Sequence, residues 1–230
     1  MGNNNPFGRV DGGLAAYMRK VYLYMAGGVG FTSLIALWLM GNPATLAAFV
    51  GNPILFWGAI LVQLGLVLGL SFGINRISSG TALGLFGLYS GLTGLTIAPL
   101  VYLYTSESVA SVFLIAAGMF GALSAYGYVT KRDLGPIGAF LFMALIGLVL
   151  ASIVNLFIAS SGFAFILNIA GVFIFAGLTA YDTQKIKEMY GSVANDEEAT
   201  NKAAIFGALT LYLDFINLFI NLLRLFGNRK

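Results

Sequence analysis

Two residue types that carry much of protein chemistry are missing from this sequence. It contains no cysteine, which excludes disulfide bonds, thiol catalysis and cysteine-ligated metals. It also contains no histidine, which removes the usual general base, the usual zinc ligand and the usual switch of charge near neutrality. Any response to pH near neutrality must therefore come from carboxylates in unusual surroundings.

Charge of either sign is also scarce. Only 9% of the 230 residues are charged, 59% are hydrophobic, and the mean hydropathy is +0.89. This composition is typical of a protein that crosses the lipid bilayer several times. The net charge of +3 is small and scattered along the chain, so it does not indicate a nucleic-acid partner.

The apolar runs predict an all-α polytopic membrane protein, because each transmembrane helix needs about 20 apolar residues. We place seven helices at about 21–40, 54–74, 81–104, 109–129, 137–159, 163–182 and 203–226. Residues 21–230 then form one transmembrane domain. Residues 1–20 are polar, lack the apolar core of a signal peptide and are expected to form a cytoplasmic tail.

The distribution of Lys and Arg predicts the orientation of these helices. The N-terminal tail and every second connection after it hold nine positive residues, whereas the three connections between them hold neither Lys nor Arg. The nine are Arg9, Arg19, Lys20, Arg76, Lys131, Arg132, Lys185, Lys187 and Lys202. The N-terminus is therefore expected in the cytoplasm. Seven full spans place Arg229 and Lys230 outside the cytoplasm, which opposes the usual preference of Lys and Arg for the cytoplasmic side. A re-entrant last segment would bring both residues back to the cytoplasm. The length of that segment and its lack of proline favour seven spans.

Two carboxylates stand within the long apolar runs. Asp182 lies near the end of the sixth predicted span, and Asp214 lies in the middle of the seventh. An ionisable group inside a bilayer is costly, so each marks a candidate functional site and each is the natural partner of the other. At 1.5 Å per residue, however, their depths differ by roughly 10 Å, which a helix tilt or an altered helix start has to close.

A polar stripe runs along the seventh predicted span. Its members follow at spacings of three and four residues, which places them on one helical face: Thr210, Asp214, Asn217, Asn221 and Arg224. Such a face must contact protein or water and not lipid, so this helix is predicted to lie centrally in the bundle. The Thr and Asn side chains are expected to support the aspartate, although Asn in a membrane also serves simply to join helices.

The aspartate pair fits several kinds of chemistry. Two carboxylates that share a poorly solvated place do not both ionise easily, and they titrate in coupled steps. Such a pair suits a proton-sensing gate, proton-coupled transport, a Ca²⁺ path or acid–base hydrolysis. Arg76, at the cytoplasmic end of the second span, is positioned to hold a gate shut by pairing with either aspartate. A purely structural role for a buried, hydrogen-bonded aspartate is the simpler alternative.

The residues around the two aspartates resemble a known family. Residues 177–185 (Gly-Leu-Thr-Ala-Tyr-Asp-Thr-Gln-Lys) and 211–219 are similar to the signature of the Bax-inhibitor family, and further similarities occur at 89–96, 117–122, 131–134 and 225–230. The likeness covers nearly the whole chain and is greatest to the bacterial branch, which implies the cell inner membrane. It also implies a non-enzymatic, seven-helix, calcium-permeable and pH-sensitive protein without a cofactor. Its gate is then an aspartate pair at Asp182 and Asp214, with Ca²⁺ as the permeant ion and protons as the signal.

Two other functions stay open at the level of sequence. Some relatives are described as regulators of membrane proteases or of cell-death pathways. The sixth span is expected to continue as a polar helix to about residue 190, followed by an acidic loop at 191–200, and this 183–202 connection would offer a surface for such a protein partner. An intramembrane aspartyl protease of the presenilin-like type also uses one aspartate in each of two neighbouring helices. That family places Gly-x-Gly before the second aspartate, whereas this chain has Leu211, Tyr212 and Leu213 there.

Overall fold

The computed structural model describes residues 6–230, with side chains from residue 12 onward, and the described chain is almost entirely helical. Its helices are α1 (Pro6–Met40), α2 (Pro43–Gly51), α3 (Pro53–Gly73), α4 (Ser79–Tyr102), α5 (Ser106–Val129), α6 (Gly135–Ile158), α7 (Ser161–Val193) and α8 (Glu197–Phe226). A short 3-10 turn, Ile74–Arg76, follows α3. Within the described residues seven helices are long and apolar enough to cross a membrane, which confirms the predicted all-α, seven-span fold.

The N-terminal part of the chain differs from the prediction. Residues 6–20, which were expected to form a polar tail, belong to α1, and residues 1–5 of that tail lie outside the described residues. The connection after the first span contains a further helix, α2, between two Asn-Pro pairs. Asn followed by Pro indicates a helix start as well as a turn, because Asn is a good N-cap and Pro suits the first helical turn. Asn52 caps α3 in this way, accepting hydrogen bonds from the backbone N–H groups of Ile54 and Leu55.

The connection between the last two spans is shorter than predicted: the helical continuation of the sixth span to about residue 190 is confirmed, but the loop expected at 191–200 is wrong. Helix α7 continues to Val193 and α8 begins at Glu197, so only a short turn separates the two helices. The segment is polar because these helix ends extend beyond the apolar spans, and Glu and Lys are good helix formers. Any partner surface here is therefore helical and not a flexible loop.

The described chain divides into two compact units, and α7 and α8 contribute to both. The first unit comprises the described residues up to Leu100 together with Ile186–Leu209. In it, Gln63 on α3 donates to the hydroxyl of Thr96 on α4 at 3.1 Å. The side chain of Glu198 accepts two hydrogen bonds from Ser79, one from its backbone N–H and one from its hydroxyl, both at 2.7 Å. The bond from Gln63 thus joins α3 to α4, and the two bonds from Ser79 hold the beginning of α4 against the beginning of α8.

The second unit comprises Val101–Lys185 and Thr210–Lys230, and it contains both aspartates. Its packing centres on the second half of α8, where rings of α5 and α8 meet edge to face. The ring centroid of Phe215 lies 5.5 Å from that of Phe113 and 5.6 Å from that of Phe120. Helix α8 is the most buried of the described spans. In its apolar 18-residue stretch 72% is buried, whereas the corresponding share is at most 39% for any other described span. The prediction that the last helix is central is therefore confirmed.

The C-terminal tail is held in place within this second unit. Residues 228–230 pair with the connection between α4 and α5: Thr105 N–H donates to the carbonyl of Asn228, and Lys230 N–H donates to that of Leu103. The tail therefore lies against the connection that joins α4 to α5. The two tail cations do not lie free, since Arg229 stands over the Tyr104 ring and Lys230 over the Tyr102 ring.

Candidate functional site

The structure brings the two intramembrane aspartates together. Asp182 on α7 and Asp214 on α8 lie within hydrogen-bonding range of each other. Asp214 is buried, with 4% of its surface exposed, whereas Asp182 is half-buried. The pair therefore has an inner member and an outer member, and only the outer one contacts its surroundings to any extent.

One oxygen of the inner aspartate lacks a hydrogen-bond donor. Among the described residues, Asp214 Oδ2 is buried and has no hydrogen-bond partner. An ionised carboxylate only accepts hydrogen bonds, and the neighbouring Asp182 donates one only when it carries a proton. Buried polar atoms almost always have a partner, and a proton shared between the two groups, a cation or an ordered water supplies one here.

The pair lies at the wall of a crevice between α6, α7 and α8. Its volume is about 680 Å³, in the range of pockets that hold whole small molecules. The lining is mainly apolar and comes from three helices: Gly138, Ala139, Phe142, Leu145 and Val149 of α6; Phe175, Leu178, Tyr181, Asp182 and Lys185 of α7; Thr210, Leu213, Asp214 and Asn217 of α8. The crevice is therefore an apolar space with a small polar patch.

A single cation borders the polar patch among the residues that line the crevice. Lys185 follows Asp182 by about one helical turn and attracts its negative charge. The Lys185 ammonium stands 5.7 Å from the centre of the Tyr181 ring. That ring in turn packs against α6 at Gly138, where any Cβ would overlap it. The close approach of α6 and α7 thus depends on a glycine opposite an aromatic ring.

The polar stripe of α8 is only partly directed into the crevice. Thr210, Asp214 and Asn217 line it, whereas Asn221 packs against α7 at Gly171. Both asparagine amides donate to the carbonyl four residues earlier in their own helix, Asn217 to Leu213 and Asn221 to Asn217. One N–H of each amide is used in this way, so the Asn217 side chain retains its amide oxygen and a second N–H.

Three contacts that were not predicted hold α7 in position beside α8. Thr183 donates its single hydroxyl proton to the carbonyl of Thr179, so Ser124 on α5 is the donor in the 2.9 Å contact with Thr183. Gln184 accepts from Leu134 N–H and donates to the Arg132 carbonyl, both at 2.9 Å. The Thr-x-x-x-Thr-Gln pattern around Asp182 was the available signal, since polar groups beside an intramembrane carboxylate need partners of their own.

The third contact is one of backbone against backbone. A Cβ at Gly127 of α5 would overlap the carbonyl oxygen of Ala180, so the two helices touch without an intervening side chain. Arg76, the predicted latch, belongs to the first unit, where it ends an exposed 3-10 turn. The acidic pair thus depends on the packing of its own unit, and the role of Arg76 stays a prediction.

Comparisons with known proteins agree with the sequence resemblance. Residues 14–230 match the family model described as "Inhibitor of apoptosis-promoting Bax1". The inner membrane protein YbhL of Escherichia coli is 48% identical over 219 residues, which cover 95% of this chain and 94% of the relative. An uncharacterised protein of Rickettsia prowazekii is 45% identical over 96% of this chain and 92% of its own. An uncharacterised protein of Borreliella burgdorferi is 44% identical over 93% of this chain and 92% of its own length.

None of these three names describes an enzyme, and the one descriptive name places its protein in the inner membrane. The match covers all seven spans of the described chain, and both aspartates lie inside it. The chain is therefore a member of the Bax inhibitor family and a multi-pass protein of the inner membrane.

Proposed function

We propose that this protein lets calcium ions leak across the membrane and that the Asp182–Asp214 pair gates this passage in response to pH. The observation that carries the proposal is the pair itself: two carboxylates in hydrogen-bonding range inside a membrane span, one with a buried oxygen that has no donor. A membrane protein retains such costly groups for function more readily than for stability.

The ligand chemistry of the pair favours a hard divalent cation. Ca²⁺ takes six to eight oxygen ligands, and carboxylate, amide and hydroxyl oxygens are the groups that the crevice offers through Asp182, Asp214, Asn217 and Thr210. Among the described residues, no three Asp, Glu, His or Cys side chains are placed so that they could hold one metal ion together. Two carboxylates without a third bind an ion weakly, which suits passage better than storage.

Protons and Ca²⁺ compete for the same oxygens in this proposal. A proton shared by the two carboxyl groups joins α7 to α8 through a hydrogen bond and lowers the negative charge that a cation needs. Removal of that proton leaves two adjacent carboxylates that repel each other and attract a cation. The distance between α7 and α8 therefore depends on whether the aspartate pair holds a proton. A pH-sensitive gate requires such a dependence.

Calcium uptake into proteoliposomes tests the proposal. Wild type, Asp182→Asn and Asp214→Asn are compared across a pH series from about 4 to about 9. Each Asn variant removes one titrating group and breaks the coupled step, so its uptake profile should shift by about one pH unit or more. Glu107→Gln is the matched control, because Glu107 is exposed in the first turn of α5 and does not line the crevice.

The control variant should keep the wild-type profile. Uptake by wild type that does not exceed that of empty liposomes at any pH, from protein that is monodisperse and helical, would overturn the proposal. That result would instead favour a regulatory protein acting on a membrane protease or a stress or cell-death partner, with its contacts through the helical ends of α7 and α8.

A further inference from the structure

We infer that the crevice beside the aspartate pair binds a membrane lipid whose head group carries a primary ammonium. This inference rests on the proposed function only in that both use the same aspartates. It concerns what occupies the crevice and not whether an ion passes, and it is tested by binding without calcium.

The mouth of the crevice faces the acyl chains of the bilayer. The α6 residues that line it, among them Ala139, Phe142 and Val149, remain exposed, whereas Phe175 and Leu178 on the opposite wall are buried. The rest of the exposed α6 surface is apolar along the full span and includes Phe140, Met143 and Leu150. A molecule that enters from this side therefore comes from the lipid phase.

The distribution of charge inside the crevice selects the head group. Asp214 lies innermost, Asp182 is more exposed, and Lys185 follows toward the cytoplasmic end of α7. Negative charge inside and positive charge at the rim complement a zwitterionic head that presents its ammonium to the carboxylates and its phosphate to the lysine. An anionic head group without an ammonium would place its phosphate beside the same two carboxylates and be repelled.

Hydrogen-bond donors distinguish a primary ammonium from a quaternary one. Asp182 and Asp214 both line the crevice and offer acceptor oxygens, and those of the half-buried Asp182 are the accessible ones. A primary ammonium brings three N–H donors to such a site, whereas a choline group brings the same charge and none. The acyl chains do not discriminate between lipids, because they leave an apolar bilayer for an apolar crevice. Selectivity must therefore lie in the head group.

Native mass spectrometry of the purified protein in detergent, without calcium, measures this selectivity directly. The probes are phosphatidylethanolamine, phosphatidylcholine and phosphatidylglycerol with identical acyl chains. Wild type should retain phosphatidylethanolamine over each of the other two by about tenfold, as expected for one charge-assisted hydrogen bond that only this head group makes. Equal retention of ethanolamine and choline lipids, or preference for the glycerol lipid, would overturn the inference.

Two pairs of variants locate the binding in the crevice. Asp182→Asn should abolish the preference for the ethanolamine lipid, and Glu107→Gln should keep it. Ala139→Phe fills the mouth of the crevice from an exposed position of α6, whereas Ala122→Phe adds the same ring at an exposed position of α5 outside it. We expect only Ala139→Phe to lose lipid, and loss in both or in neither contradicts the assigned site.

The binding result and the calcium result are independent. Lipid preference without calcium uptake would remove the proposed function and keep this site. Calcium uptake with a shifted pH profile in the Asn variants, but without lipid preference, would do the reverse. The phenylalanine pair keeps the inference testable if an aspartate variant does not fold.

Discussion

At the scale of single residues, the two aspartates behave as a unit whose members have different surroundings. Asp214 is buried on the central helix, Asp182 is half-buried on α7, and both line the crevice. A cation or proton that arrives from the crevice therefore finds more of Asp182 exposed than of Asp214. The proposed gate needs both residues, although only one of them is deeply buried.

Gly127 is the residue on which the position of Asp182 most directly depends. We predict that Gly127→Ala destabilises the protein by about 1–3 kcal/mol, because the added methyl group would overlap the Ala180 carbonyl two residues before Asp182. Gly118→Ala on the same helix is the matched control, since no atom lies within 4 Å of its added Cβ.

Thermal unfolding of both glycine variants in detergent checks this prediction. The Gly118 variant should be unchanged or slightly more stable, because alanine favours a helix over glycine by up to about 1 kcal/mol. Equal stability of the two variants would mean that α5 and α7 do not touch as described, and the support for Asp182 would have to be sought elsewhere.

The residues of the site were only partly predictable from sequence. Asp182 and Asp214 were identified because charge inside an apolar span is costly, and that argument needs no structure. Gln184, Ser124 and Gly127 were not identified, because their roles depend on which helix lies opposite them. Sequence periodicity gives the face of one helix but not the neighbour of that face.

At the scale of elements, the ends of helices account for most differences between prediction and structure. The apolar stretches predicted the second to fifth spans to within three residues at each end, since hydropathy follows directly from the need to bury apolar length in lipid. The continuation of α7 was predicted to about residue 190, but residues 191–200 were predicted as a loop, because beyond the bilayer hydropathy no longer separates helix from turn. Helix α2 was missed for the related reason that Asn-Pro indicates either a turn or a helix start.

The pairing of the two aspartates could not be predicted from the rise per residue along the two helices either. Asp182 is nearer to the turn at residues 194–196 than Asp214 is, by roughly 9 Å at 1.5 Å per residue. Two straight helices that left this turn in parallel would keep that offset. Since the carboxyl groups nevertheless meet, the offset is taken up along the helices, which the sequence could not specify.

The C-terminal tail is the element with the clearest structural role outside the site. We predict that truncation after Gly227 destabilises the protein by about 1–3 kcal/mol, because it removes backbone hydrogen bonds to Leu103 and Thr105 and the bond from Asn228 N–H to Ser108 Oγ. Lys230→Ala is the control, as it removes only the ammonium over the Tyr102 ring and keeps the backbone pairing.

The two tail variants are compared by thermal unfolding under identical detergent conditions. Lys230→Ala should lose less than about 1 kcal/mol, the range of an exposed cation–π contact. A truncated protein as stable as wild type would show that the tail does not contribute to stability and that α8 is held by its apolar contacts alone.

At the scale of the whole molecule, the account predicts a defined topology. The C-terminus lies on the opposite side of the membrane from the N-terminus, although its two cations oppose the usual charge bias. Because the chain has no cysteine, a single introduced cysteine reports its own location without background. Lys230→Cys should react with a membrane-impermeant thiol reagent applied to spheroplasts from outside.

The matched variant for this topology is Lys131→Cys, in the exposed turn between α5 and α6. It should react only after the membrane is permeabilised, since that turn belongs to the cytoplasmic side. Protection of residue 230 together with residue 131 would contradict seven complete spans and restore the re-entrant alternative for the last segment.

The central claim is that the two aspartates act as one proton-linked unit in calcium passage. A double-mutant cycle of calcium uptake in proteoliposomes, with Asp182→Asn, Asp214→Asn and both together, measures this most directly. If the residues act as a unit, the pH profile of the double variant will be no further from wild type than that of either single variant. If instead the two single effects add, the aspartates act independently and the proposed gate is wrong.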